Sequence, residues 1–153
     1  MADASRFPQL AYPFAVVGAA AGWLSAGFAV AMLTAFGIVF ALVPRALASV
    51  FSDDPAIVSL ASRTFLVTAA AQPFMAFATV AGMSLRGAGD TRTVLGVTVW
   101  CAVLVRLAAT WFFAITLGLG IVGVWMGSTS DWVCRSVMLG IAYARGRWRG
   151  VRV

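Results

Sequence analysis

Charged residues in this chain fall into a few clusters, and long apolar runs separate them. No charged residue occurs from Phe7 to Pro44 or from Thr64 to Leu85, and from Thr93 to Tyr143 only Arg106, Asp131 and Arg135 interrupt. A hydrocarbon core about 30 Å thick takes about 20 helical residues to cross. Gly118-Leu119-Gly120 is a turn signal that splits the last run in two. The pattern therefore predicts an all-α integral membrane protein with four transmembrane helices, at about 22–43, 60–86, 93–117 and 121–144. The first run is too long for one untilted span and short for two. Gly18, Gly22 and Gly27 loosen it, but no turn chemistry divides it. One long helix starting near residues 12–22 is the favoured reading, with residues 1–21 as a poorly defined N-terminal segment. A signal peptide is not expected, because the start carries one Arg and an acid, Asp3, and its apolar stretch exceeds the usual 7–15 residues.

Composition agrees with a membrane protein. Hydrophobic residues make up 62% of the chain and charged residues 10%, with mean hydropathy +0.97, whereas a soluble domain carries about 25% charge. All five acids are Asp and all eleven basic residues are Arg; Glu, Lys and His do not occur. Histidine general bases, Ser-His-Asp triads, Lys Schiff bases and His-ligated metals are thereby excluded, and an enzyme is not expected. The high pI, about 11.1, does not point to nucleic acid, since most Arg sit beside or inside apolar runs. They read as residues at membrane edges. With four spans, one side holds Arg6, Arg86, Arg92, Arg145, Arg147, Arg149 and Arg152, and the other holds Arg45 and Arg63, offset by Asp53 and Asp54. Both termini are expected in the cytoplasm, and residues 145–153 form a basic tail suited to anionic lipid headgroups. Two spans in the first run would move the N-terminus outside.

Local chemistry marks the boundaries and the interior. Ser52-Asp53-Asp54-Pro55 reads as a helix start, and Asp90 as a cap after a tight turn. Gln72 and Pro73 lie mid-span. The proline frees a carbonyl near residue 69, which Gln72 is placed to help satisfy, and the site serves equally as a structural kink or a hinge lining a cavity. Gly18/Gly22 and Gly123/Gly127 are small-residue pairs that permit close helix approach. Cys101 and Cys134 read as small apolar core residues rather than a disulfide or metal pair, and no metal or cofactor site is expected.

The polar residues inside the spans are the most informative. Counted at 1.5 Å per residue, Arg106 and Asp131 lie about 16 and 15 Å below the outer ends of neighbouring antiparallel helices, so they meet at mid-membrane. Ser128 and Arg135 lie one turn to either side of Asp131, giving an inward polar stripe. Two Arg against one Asp leave one positive charge over. Either Arg135 bonds carbonyls or snorkels inward, or an acid from another part of an assembly joins it. The set serves as an ion-pair lock or as a proton or substrate relay.

Ser52-Asp53-Asp54-Pro55, Gln72-Pro73-Phe74, the string Leu85-Arg86-Gly87-Ala88-Gly89-Asp90-Thr91-Arg92, Gly120-x-x-Gly123-Val124-Trp125 and Asp131-Trp132 with Arg135 together resemble the multidrug and toxic compound extrusion (MATE) family. The resemblance runs from about Trp23 to Trp148. It implies that residues 22–150 are part of a C-terminal lobe, the last four of twelve spans in two six-helix lobes. It also implies export of small organic compounds by alternating access, coupled to H⁺ or Na⁺, across the cell membrane. A coupling acid found in one branch of the family falls at Met75 here, and a thioether neither carries a proton nor suits Na⁺. No coupling-ion site is carried over. The expectation is a C-terminal portion of a MATE-type antiporter, inactive without its N-terminal part or a complementary subunit. The alternatives are a small four-span dimeric transporter and a non-transporting membrane assembly subunit.

Overall fold

The computed structural model describes residues 8–146, with side chains from residue 21 onward. Among these it is all-helical. Helix α1 runs Pro8–Leu42, α2 Pro44–Ser49 and α3 Pro55–Gly87. A single rod then spans Thr91–Thr116. It consists of α4 (Thr91–Trp100), a π-helical turn (Cys101–Val105), α5 (Arg106–Thr110) and a second π-helical turn (Trp111–Thr116). Helix α6 runs Gly120–Ala144. Three segments are long and apolar enough to cross a membrane: Ala21–Leu42, Pro55–Gly87 and Thr91–Thr116. Helix α6 has 25 residues, long enough for a fourth crossing, but Ser128 to Asp131 and Arg135 dilute its apolar character.

The boundaries differ from the sequence pattern in two places. The first helix is already formed at Pro8, not at residues 12–22, and it is one helix. The apolar run holds no polar cap to start a helix later, so the backbone stays helical further back. The second span begins at Pro55 rather than near 60, because Asp54 caps it: its side chain accepts from the Ala56 N–H at 2.8 Å, with Pro55 in the first turn. Arg6, Arg147, Arg149 and Arg152 lie outside the described residues, as does most of the basic tail.

Helix stops follow from proline and glycine. Val43, which precedes Pro44, leaves the helical backbone (φ −126°, ψ 44°) and ends α1. At the end of α3, Gly89 takes φ 88°. The Gly89 N–H bonds Arg86 O and the Asp90 N–H bonds Leu85 O, both at 3.0 Å. This is a Schellman motif, which closes the carbonyls left open at the helix end. Asp90 then caps α4, accepting from the Thr93 N–H at 3.3 Å. The segment from Leu85 to Arg92 is thus a stop and a start fused into one turn. Leu85 is fully buried beneath it, and Arg86 and Arg92 point outward.

The spans alternate in direction. Helix α1 lies antiparallel along α3 through Phe40 on Phe65 (5.6 Å between ring centroids) and Trp23 near Phe77 (6.2 Å). Helix α3 lies beside α6, where Gly82 faces Leu139 and Gly140 faces Phe77. The rod covers the far side of α6. A core of Ala78, Ala81, Leu85, Val94, Val97, Cys101, Leu139 and Tyr143 gathers where α3, α4 and α6 meet, below the Leu85–Arg92 turn. The outer faces present Phe28, Leu42, Trp111 and Ile115, exposed apolar side chains suited to lipid or to further helices.

Helix approach is closest between α6 and the rod. A Cβ on Gly123 would lie 2.5 Å from Ala114 N, and one on Gly127 would strike Thr110. At Gly96 a Cβ meets nothing within 4 Å. Gly127→Ala is therefore expected to destabilise the detergent-purified chain by about 1–3 kcal/mol. Gly96→Ala is expected to leave it unchanged or raise its stability by about 0.5–1 kcal/mol. Thermal unfolding followed by circular dichroism checks both.

Candidate functional site

The rod and α6 form an antiparallel pair, joined at a turn where Gly118 (φ 67°) and Gly120 (φ 55°) take the left-handed backbone. Their facing positions step regularly. Gly123 meets Ala114, Gly127 meets Thr110, Asp131 meets Arg106 and Cys134 meets Cys101. On the rod the steps are four, four and then five residues. In an α-helix, five residues leave side chains about 140° apart, which would turn Cys101 away from α6. The π-helical turn supplies the correction: the Arg106 N–H reaches Cys101 O across five residues, widening the turn. Arg106 and Cys101 thereby share the face that packs on α6.

Asp131 is the centre of this face and is fully buried. Arg106 Nη2 lies 3.0 Å from Asp131 Oδ2 and also donates to Ser128 Oγ at 3.1 Å. Arg135 Nη2 donates to Asp131 Oδ1 at 2.9 Å and to Oδ2 at 3.0 Å. The Arg135 guanidinium also lies over the Trp132 ring, 4.7 Å from its centroid. The polar stripe of Ser128, Asp131 and Arg135 is therefore in one cluster with Arg106 of the rod. Arg135 neither turns to carbonyls nor stretches toward a membrane surface. Instead it folds back one helical turn, so one carboxylate serves two guanidiniums.

The cluster keeps a net charge of +1, and no other acid joins it among the described residues. Arg106 Nε and Arg135 Nε are buried without an acceptor. The exposure is lopsided: the Arg106 side chain is 41% exposed and that of Arg135 14%. Arg106 faces the open side of the bundle, whereas Arg135 is largely buried.

Gln72 and Pro73 lie elsewhere. Pro73 has no N–H for the Ala69 carbonyl, yet α3 continues through it. The group facing that carbonyl is Gly37 of α1, where an added Cβ would lie 2.9 Å from Ala69 O. Gln72 packs by its Cβ and Cγ beside the same glycine, and the two helices touch backbone to backbone there. Pro73 lines an apolar groove of about 550 Å³ with Val30, Phe77, Ser136 and Gly140. The groove lies between α1, α3 and α6, and the ionic cluster on the opposite flank of α6. The structure thus does not bring the two sets together, and the Leu85–Arg92 turn stands apart from both. Two features escaped the sequence reading. Gly37 carried no signal beyond being a glycine in an apolar run. The approach of Cys101 to Cys134 follows from the Arg106–Asp131 register, but only once the π turn is known.

The MatE family model matches residues 19–112. A "Probable multidrug resistance protein NorM" of Pseudomonas putida is 34% identical over 138 residues, covering 87% of this chain and 29% of that protein. A protein of the same name from Thermotoga maritima is 28% identical over 115 residues, covering 73% of the chain and 24% of that protein. An "Uncharacterized transporter YisQ" of Bacillus subtilis is 25% identical over 122 residues, 80% of the chain and 26% of that protein. The chain spans under a third of the length of each of these relatives. No solved structure matches it.

Removing the shared carboxylate strands one largely buried cation, Arg135, and one half-exposed cation, Arg106. Asp131→Asn is expected to cost about 3–5 kcal/mol. Arg106→Gln, on the exposed side, is expected to cost less, with Arg135 keeping Asp131 paired. Unfolding of the detergent-solubilised variants in denaturant gives the order.

Proposed function

The chain belongs to the MatE family of membrane transporters, and from that premise we propose that it contributes four helices to a multidrug antiporter. The family is one of transporters rather than enzymes in general, and the chain is a multi-pass membrane protein. The observation that carries the reading is the extent of the match: 87% of this chain corresponds to 29% of a relative named as a multidrug resistance protein. The substrates proposed are small organic compounds, expelled by alternating access at the expense of an H⁺ or Na⁺ gradient. The remaining helices of such a transporter, on the same or another polypeptide, are its proposed partners. Exposed Trp111, Phe28 and Ile115 supply apolar faces for them and for lipid. The groove beside Pro73 is the proposed contribution to the cavity wall. The proposed setting is the cell membrane with both termini in the cytoplasm. Exposed Arg86, Arg92 and Arg145 gather at one end of the bundle, and Arg45 and Arg63, with Asp53 and Asp54, lie at the other.

We assign Arg106, Asp131 and Arg135 to locking α6 against the rod rather than to relaying protons. A relay carboxylate must exchange with water during turnover, whereas Asp131 is fully buried and held by two guanidiniums. A self-contained four-span dimer is less well supported, because the described part of α1 holds no charged residue to couple transport.

Purified alone into vesicles, the chain is expected to show no ion-driven transport of a cationic dye. Co-expression with the N-terminal helices of the Pseudomonas putida relative is expected to give gradient-dependent efflux. Ion-coupled transport by the chain alone would overturn the proposal. In the active assembly, Arg106→Met with Asp131→Leu and Arg135→Met is expected to retain at least about half the efflux, since apolar groups replace a buried ion cluster at little cost. A folded triple variant without efflux would make the cluster a relay.

A further inference from the structure

Three sulfur atoms converge beside the ionic cluster. Cys101 Sγ lies 3.6 Å from Cys134 Sγ, and Met138 Sδ lies 3.8 Å from each. Both cysteines are free. A point equidistant from the three sulfurs is about 2.2 Å from each, close to the roughly 2.3 Å that a filled-shell metal ion keeps from cysteine sulfur. Two thiols and a thioether in a triangle are soft donors, and soft donors select Cu(I). We propose that Cys101, Cys134 and Met138 form a trigonal binding site for a soft monovalent cation, Cu(I) in chemical class.

Charge supports the choice of ion. Binding releases the two thiol protons to water and leaves a centre of net charge −1, from one Cu⁺ and two thiolates. The neighbouring Arg106, Asp131 and Arg135 carry +1, which no other described acid offsets. Cys134 precedes Arg135 in the chain and Cys101 lies one π-helical turn from Arg106, so the two charges are adjacent. Together they cancel, which low-dielectric surroundings favour. A divalent ion with the same ligands would leave the excess in place. One of the three ligands borders a cavity, although Cys101 itself is fully buried. Met138 lines a cavity of about 320 Å³ that reaches Asp90, Thr93 and Arg145 at the end of the bundle beside the Leu85–Arg92 turn.

The test uses the full chain in lipid nanodiscs, without oxygen, titrated with Cu(I) against a chromophoric Cu(I) chelator. One Cu(I) per chain is expected, with X-ray absorption showing three sulfur neighbours at about 2.2–2.3 Å. Cys101→Ser and Cys134→Ser are each expected to weaken binding about 100-fold or more, and Met138→Leu about tenfold with the sulfur count falling to two. Met83→Leu, an exposed methionine outside the triangle, is expected to change nothing. Unchanged Cu(I) affinity in folded Cys101→Ser with Cys134→Ser would overturn the proposal. If that double variant does not fold, the wild-type chain decides. One equivalent of Ag(I) must protect both thiols from alkylation, and failure to protect overturns the proposal.

Discussion

The carboxylate of Asp131 binds two guanidiniums inside the helical bundle, and much of the surrounding architecture exists to make that arrangement tolerable. An unpaired arginine or aspartate at this depth costs several kcal/mol. Helix α6 must therefore approach the rod closely enough for hydrogen-bond distances of 3.0–3.1 Å. Glycine permits the approach: Gly123 and Gly127 let the backbone of the rod lie directly on α6. The π-helical turn at Cys101–Val105 then continues the contact one turn further, into the buried core under the Leu85–Arg92 turn. Charge pairing, glycine packing and an irregular helix are parts of one interface.

The opposite flank of α6 is built on different physics. There, α1 and α3 meet through aromatic rings and through Gly37 against the carbonyl that Pro73 leaves open. That contact places the backbone of α1 directly beside the proline turn in the middle of a long apolar helix. Helix α6 lies between the two surfaces, ionic on one side and lining an apolar groove on the other. A change in either surface is felt by the same helix.

Much of this was legible in the sequence. Spacing between charges placed four helices close to those observed, three of them in segments long and apolar enough to cross a membrane, because the cost of a charge in hydrocarbon dominates placement. Asp54 and Asp90 marked their helix starts because side-chain capping is local. Counting depth from the Gly118–Gly120 turn paired Arg106 with Asp131. The start of α1 was misplaced, since a uniformly apolar run contains no local signal for a boundary. The fate of Arg135 stayed open because whether a guanidinium folds back or snorkels depends on what surrounds it. The sulfur triangle was hidden for a related reason: a single inserted residue in a helical turn leaves no mark on composition or periodicity.

The i, i+4 placement of Arg135 after Asp131 also bears on how the chain enters the membrane. Helices leave the ribosome in order, so the rod, with the single charge of Arg106, precedes α6. An arginine at the centre of an inserting helix costs about 2.5–3.5 kcal/mol on the insertion scale. Helix α6 brings its own partner for Asp131 within one turn, so it enters as a nearly neutral segment rather than as an isolated anion. Arg106 is thus the one uncompensated charge during assembly, and the arrival of α6 relieves it. Pairing within one helix first, and across two helices second, gives the last hairpin a direction of assembly as well as a shape.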